Sequence, residues 1–174
     1  MKITPAWKDA EGKGLKDLGW ALQYEGSIES EEEIEIEIGS RWLKLSGSLK
    51  SQRFIKAGEG ITAGEGIEAG GGITAGEGIK AGGGIEAGGG ITAGRGITAG
   101  RGIEAGWFIT AGRGITAGLS IRCKKVIKWS FDLFAGTAVW KKPTDEECMI
   151  EAGELQGGEV KYGIVKLLHK EEKK

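Results

Sequence analysis

From Leu43 onward an aliphatic residue returns at every sixth position: Leu43, Leu49, Ile55, Ile61 and so on through Ile121, Ile127, Leu133 and Val139. Between Ile55 and Ser120 the pattern is nearly unbroken. Eleven units each carry Ile first, Ala third and Gly fourth, and the sixth residue is Gly except at Phe108 and Ser120. Ile and Ala lie two apart, so on an extended segment they face one way and the residue between them faces the other. The Gly-x-Gly that follows offers places where positive φ has no steric penalty, which a corner is expected to use. Each unit therefore predicts a short strand and a turn. A helix is excluded, because Gly at two positions in six costs about 1 kcal/mol at each relative to Ala. A collagen-like bundle needs Gly at every third residue, whereas these spacings alternate two and four.

The outward residues set the coil size. The residue after Ile is Glu at Glu68, Glu86 and Glu104, eighteen apart, in a column that continues to Lys50 below and Arg122 above. A second column reads Lys56, Thr74, Thr92, Thr110, Lys128, and a third Lys44, Thr62, Lys80, Thr98, Thr116. Three units per turn predict an all-β fold, a triangular β-solenoid with 18-residue coils. Leu43 to Val139 then makes about five and a half coils, whose stacking buries a column that no single strand could. Three six-residue units per coil, each led by an aliphatic, resemble the hexapeptide-repeat left-handed β-helix. The usual pattern there puts the small residue two before the aliphatic, whereas here Ala follows it by two. That resemblance implies a fold and not an activity.

The flanks are expected to cap this rod, since open solenoid ends expose strand edges. Residues 1–42 read as an N-terminal cap, with a short helix near Leu15 to Tyr24 and with Trp7, Trp20 and Trp42 as capping side chains. Within it, Ser27 to Gly39 sets Ile28, Ile34, Ile36 and Ile38 on even positions and Glu29, Glu31, Glu33, Glu35 and Glu37 on odd ones. That predicts one strand with an acidic face, its carboxylates recurring at roughly 6.8 Å, close to the step between phosphates on a nucleic-acid strand. A solvated edge strand and a metal site are the alternatives for the same residues. The solenoid proper is read as residues 43–140. Residues 141–174 form a C-terminal cap and tail, with a polar loop from Lys141 to Glu151, a last strand near Val160 to Leu168, and a frayed charged end from His169 to Lys174.

The chain has 174 residues and a formal net charge of −1, unevenly distributed. Residues 25–40 carry seven Glu and no basic residue. Residues 55–90 set Lys56 and Lys80 against five Glu, and residues 91–126 set Arg95, Arg101, Arg113, Arg122, Lys124 and Lys125 against Glu104 alone. The rod is expected to be electrically polar along its axis. No apolar run has the length of a signal peptide or a membrane span, so a cytoplasmic protein is expected. Cys123 and Cys148 make neither a disulfide framework nor a metal spacing. Cys123 falls in an inward Ala slot, as a small core thiol would.

Chemistry is narrowed by what the chain lacks. Hexapeptide-repeat relatives are often acyltransferases, and that resemblance implies a catalytic His in or beside a coil. The sole histidine here is His169, in the tail. A zinc site of the carbonic-anhydrase kind needs several His ligands, and a Ser nucleophile lacks its base. The repeated Gly-x-Gly opens no helix and is no phosphate loop. No enzyme activity, cofactor or metal is therefore expected. A Thr ladder suits ice binding, yet each strand offers one Thr beside charged corners. Capped ends argue against a filament.

What remains is a non-enzymatic binding protein with charged flat faces. Its near-perfect repeat resembles that of small proteins carried by phages and mobile elements, and anti-CRISPR inhibitors of host defence among them use acidic surfaces to occupy nucleic-acid sites. The expected partner is then a host protein or ribonucleoprotein complex with a Lys/Arg channel, and no membrane; a homodimer is an open alternative. The candidate acidic contacts are Glu29, Glu31, Glu33, Glu35, Glu37, Glu68, Glu86 and Glu104. The candidate aromatic and basic contacts are Trp107, Phe108, Arg95, Arg101 and Arg113, and direct nucleic-acid binding through the basic half is the competing reading.

Overall fold

The computed structural model describes residues 1–168; the charged segment from His169 to Lys174, with the only histidine, lies outside the described residues. The fold is an all-β solenoid of parallel stacked coils. Ile67 pairs with Ile85, Ile73 with Ile91 and Ile79 with Ile97, each eighteen residues on. Three units per turn give three walls. Wall one contains Ile28–Ser30, Leu49–Ser51, Ile67–Ala69, Ile85–Ala87, Ile103–Ala105, Ile121–Cys123, Met149–Ala152 and Ile164–Leu167, an eight-stranded sheet. Wall two holds the Thr74, Thr92 and Thr110 column and wall three the Thr62, Lys80, Thr98 and Thr116 column. The two join in one 15-stranded sheet because Val126–Phe134 runs round the corner between them, pairing Phe108–Ala111 with its first half and Ile115–Ala117 with its second.

Packing follows from the hexad. The Ile at the head of each strand points to the axis and stacks on its counterparts above and below; Ile61, Ile73, Ile91 and Ile97 are all 0% exposed. Burying such a side chain stabilises by about 1.5–3 kcal/mol, and each repeat coil buries three. Ala at the third position closes the core where the walls converge. The main chain is bonded coil to coil through the corners as well: Gly94 N donates to Ala75 O at 3.0 Å, Arg95 N to Glu77 O at 3.0 Å, and Ile97 N to Gly114 O at 3.1 Å. The corners thus leave few backbone groups needing side-chain partners.

The fourth-position glycines do not serve the purpose the sequence suggests. No glycine of the repeat has positive φ. A Cβ on Gly76 would instead lie 2.0 Å from Gly58 O, and one on Gly94 1.9 Å from Gly76 O, in the coil beneath. Close backbone approach, rather than a left-handed turn, requires Gly there. At the sixth position the nearest backbone oxygen stands farther off, from 2.8 Å at Gly114 and 2.9 Å at Gly72 to 3.4 Å at Gly66 and Gly84, and it is at this position that Phe108 and Ser120 stand.

Stacking continues past both ends of the repeat. Leu22 pairs with Leu43, Ile28 with Leu49 and Ile34 with Ile55, in a first coil of twenty-one residues. Above the repeat, Ile121 pairs with Ile150 and Ile150 with Val165. Coils thus continue outside residues 43–140 on both sides. Several sequence expectations change accordingly. The alternating segment Ser27 to Gly39 is not one strand: Ile28–Ser30 lies in wall one and Ile34–Ile36 in wall two, with a corner between them. The nine-residue unit from Ile34 to Trp42 carries a three-residue insertion that mimics a longer period-two run. No helix forms at Leu15 to Tyr24. Lys16–Asp17 and Ala21–Tyr24 pair antiparallel across a turn at Gly19, whose φ is +81°, and the second strand joins wall three. Trp7 does cap, edge-on to Tyr24 at 5.3 Å, and Trp42 lies over Gly60, but Trp20 is exposed. The six-residue phase ends at Leu133, which is buried; Val139 is 96% exposed. The polar stretch from Lys141 gives way to a short 3-10 turn, Glu146–Cys148, and then the wall-one strand Met149–Ala152. The last coil has two strands, Glu154–Tyr162 and Ile164–Leu167, where one was expected.

Candidate interaction surface

Wall one carries the charge pattern most unlike an ordinary solvated face. In register, its outward column reads Glu29, Lys50, Glu68, Glu86, Glu104, Arg122, Glu151, Lys166. Successive strands stand about 4.8 Å apart, so each carboxylate stands close to the next. Opposite signs meet near the ends: Lys50 Nζ lies 3.2 Å from Glu68 and Lys166 Nζ 3.4 Å from Glu151. The hydrogen bond to Glu68, reinforced by its charge, holds the Lys50 ammonium above its ordinary pKa. At the centre the pattern fails, since Glu86 has Glu on both sides. Like charges directly opposite one another on a sheet are unfavourable. A groove of about 480 Å³ follows these three carboxylates, with Glu65 and Arg101 on its corner side. A second, of about 600 Å³, runs on toward Glu29 and Glu31 past Lys50 and Glu68.

The remaining acidic candidates stand elsewhere and are already engaged. Glu33 lies 2.6 Å from Lys56 Nζ, and Glu37 and Glu35 lie 2.8 and 3.9 Å from Lys2 Nζ. The five candidates Glu29, Glu31, Glu33, Glu35 and Glu37 therefore do not form a single row: Glu29 belongs to wall one, and Glu35 pairs across wall two with Lys56. The basic and aromatic candidates are divided among three corners. Arg95 and Arg113 share the corner between walls two and three, where Arg95 is held by Glu77 at 2.8 Å. Arg101 stands on the corner between walls three and one. Trp107 and Phe108 stand on the corner between walls one and two, with Lys125 Nζ 4.2 Å from the centre of the Trp107 ring.

Phe54 is exposed on that same corner and was not anticipated. It precedes Phe108 by three whole coils, so the repeat phase was a usable signal. Its ring covers Gly71 and Gly72, and that of Phe108 covers Gly90. Cys123 behaves as its slot suggests: it is buried, and burial pushes its thiol up to about 11.

Among the described residues no three His, Cys, Asp or Glu are arranged to hold a metal ion, and no helix is long and apolar enough to cross a membrane. Searches of protein-family models, curated proteins and solved structures found no match for the chain. What defines its class is the architecture itself, a β-solenoid with one acidic ladder.

Proposed function

We propose that this chain is a non-enzymatic binding protein that offers wall one to the Lys/Arg-lined nucleic-acid groove of a host complex, as a small phage-carried inhibitor of the anti-CRISPR type would. One observation carries the reading: Glu68, Glu86 and Glu104 occupy consecutive rungs of one wall with no cation among them. The backbone holds these carboxylates in line, so binding requires little ordering of the acidic side. A basic groove would relieve their mutual repulsion, and desolvating such pairs favours a partner of opposite charge. Glu29, Glu31 and Glu65 lie in the grooves beside the ladder and extend the acidic area. Glu33, Glu35 and Glu37 drop out of the contact set, because they stand off wall one, beside Lys56 and Lys2.

The test is a gel shift with a purified RNA-guided DNA-binding complex and its DNA. Wild-type protein is expected to release the DNA, with an effect that weakens as salt rises. The triple variant Glu68→Gln, Glu86→Gln, Glu104→Gln should lose that effect while keeping its β circular dichroism, since all three side chains point outward. Inhibition by the triple variant equal to wild type would remove the acidic-ladder reading. A salt-sensitive shift of plain DNA by this protein alone would favour the corners bearing Arg95, Arg101 and Arg113 instead.

A further inference from the structure

The two ends of the rod are finished differently. At the N-terminal end the lowest inward aliphatics are closed over: Ile3 is 0% exposed, Leu22 2% and Ile28 3%, with Trp7 and Leu15 packed against the core. At the other end the last coil, Glu154 to Leu167, has no strand above it among the described residues. Val165 stands on Ile150 and Leu167 on Ala152, at core positions of wall one, yet they are 44% and 51% exposed. Leu155 over Ile127 and Val160 over Leu133 complete the same layer from walls two and three and are only partly buried. Tyr162 and Ile164 add exposed apolar surface at the rim. Glu154–Tyr162 and Ile164–Leu167 are also the terminal strands of their sheets, with outer main-chain groups unpaired among the described residues. An apolar open edge of this kind pairs with another chain unless something covers it. The six residues that follow in the sequence, from His169 to Lys174, are all polar or charged and chemically unsuited to an apolar plate.

We infer that the C-terminal coil is the interface of a head-to-head homodimer. The fitting occupant is a second copy of the same coil. Within the repeat each aliphatic triangle is covered by another aliphatic triangle one rung away, and a second copy supplies that layer. A two-fold axis perpendicular to the rod reverses the direction in which the partner winds, so strands meet antiparallel and their free main-chain groups face each other. The rim bears both signs, Glu154 and Glu159 with Lys161 and Lys166, as a self-complementary patch requires. Assembly stops at two because the opposite end of each rod is sealed by Trp7 and its neighbours. Glu68, Glu86 and Glu104 remain on the free walls.

Sedimentation velocity of the 174-residue chain tests this directly. The expected mass is twice 18.3 kDa. The double variant Val165→Asp, Leu167→Asp should sediment as a monomer with its β circular dichroism retained, and Val139→Asp, at an exposed position off the plate, should stay dimeric. Wild-type protein that is monomeric at every concentration or forms an open series of larger species overturns the inference, as does a double variant that stays dimeric. Should the double variant lose structure, hydrogen exchange on wild-type protein decides. Amides of Ile164–Leu167 that exchange more slowly as concentration rises support the dimer, and exchange independent of concentration refutes it.

Discussion

Gly58 and Gly76 hold the same place in consecutive coils of one corner, in the hexads I-K-A-G-E-G and I-T-A-G-E-G. If glycine were needed there for its backbone torsion, replacing either by Ala would do equal harm. The structure separates them. A Cβ at Gly58 meets nothing within 4 Å, because the irregular first coil leaves space beneath it; a Cβ at Gly76 would lie 2.0 Å from Gly58 O. Against an ordinary contact of 3.4 Å the overlap is about 1.4 Å, and the obstacle is backbone that no rotamer can move. The upper coil must lift, which breaks the bond from Gly76 N to Ala57 O, now 3.1 Å. A lost bond costs about 1 kcal/mol, and a donor left unpaired costs about 1–3 kcal/mol. Gly76→Ala is therefore expected to destabilise by about 2–4 kcal/mol. At roughly 2–4 °C per kcal/mol for a chain of this size, Tm should fall by about 5–15 °C. Gly58→Ala, with no φ penalty and open space, should gain about 0.4–1 kcal/mol by restricting the unfolded chain. Scanning calorimetry of the two variants measures both. Equal losses would refute the close-approach account and restore the torsional one, as would a Gly76→Ala protein that melts with wild type.

Two further outcomes can be checked on the same material. Glu86→Lys replaces two like-charge neighbours by two opposite ones, so Tm should rise, each cross-strand pair contributing about 0.2–1 kcal/mol; the gain should shrink at high salt, and a salt-independent change would show that charge is not the cause. With its thiol raised to about 11 by burial, Cys123 should present about one thiolate in a thousand at pH 8, so iodoacetamide should modify it only after denaturation or well into the alkaline range. Mass spectrometry of native protein alkylated at Cys123 at pH 8 would contradict its placement in the core.

What depended on an unbroken phase was legible in the sequence, and what depended on a break in phase, such as the exposure of Val139, was not. Glu68, Glu86 and Glu104 could be placed side by side because eighteen-residue steps fix a wall regardless of handedness, and their register is as expected. The same step would have placed Phe54 beneath Phe108, had the corner been followed downward as the strands were. The row from Glu29 to Glu37 misled for a physical reason. The three-residue insertion beyond Ile36 continues the alternation and so lengthens the apparent strand, while the corner itself was marked only by the six-residue step from Ile28 to Ile34 and by Glu32 on the apolar side. At the upper end Ile150 stands twenty-nine residues from Ile121, beyond the reach of any fixed period. What ends a solenoid is therefore invisible to the reasoning that finds it. A coil is specified by likeness to its neighbours, whereas an end is specified by a departure that covers the last rung or leaves it open. Here Trp7 and Leu15 cover one end while Val165 and Leu167 lie bare at the other, a contrast that appears only once side chains are placed on rungs.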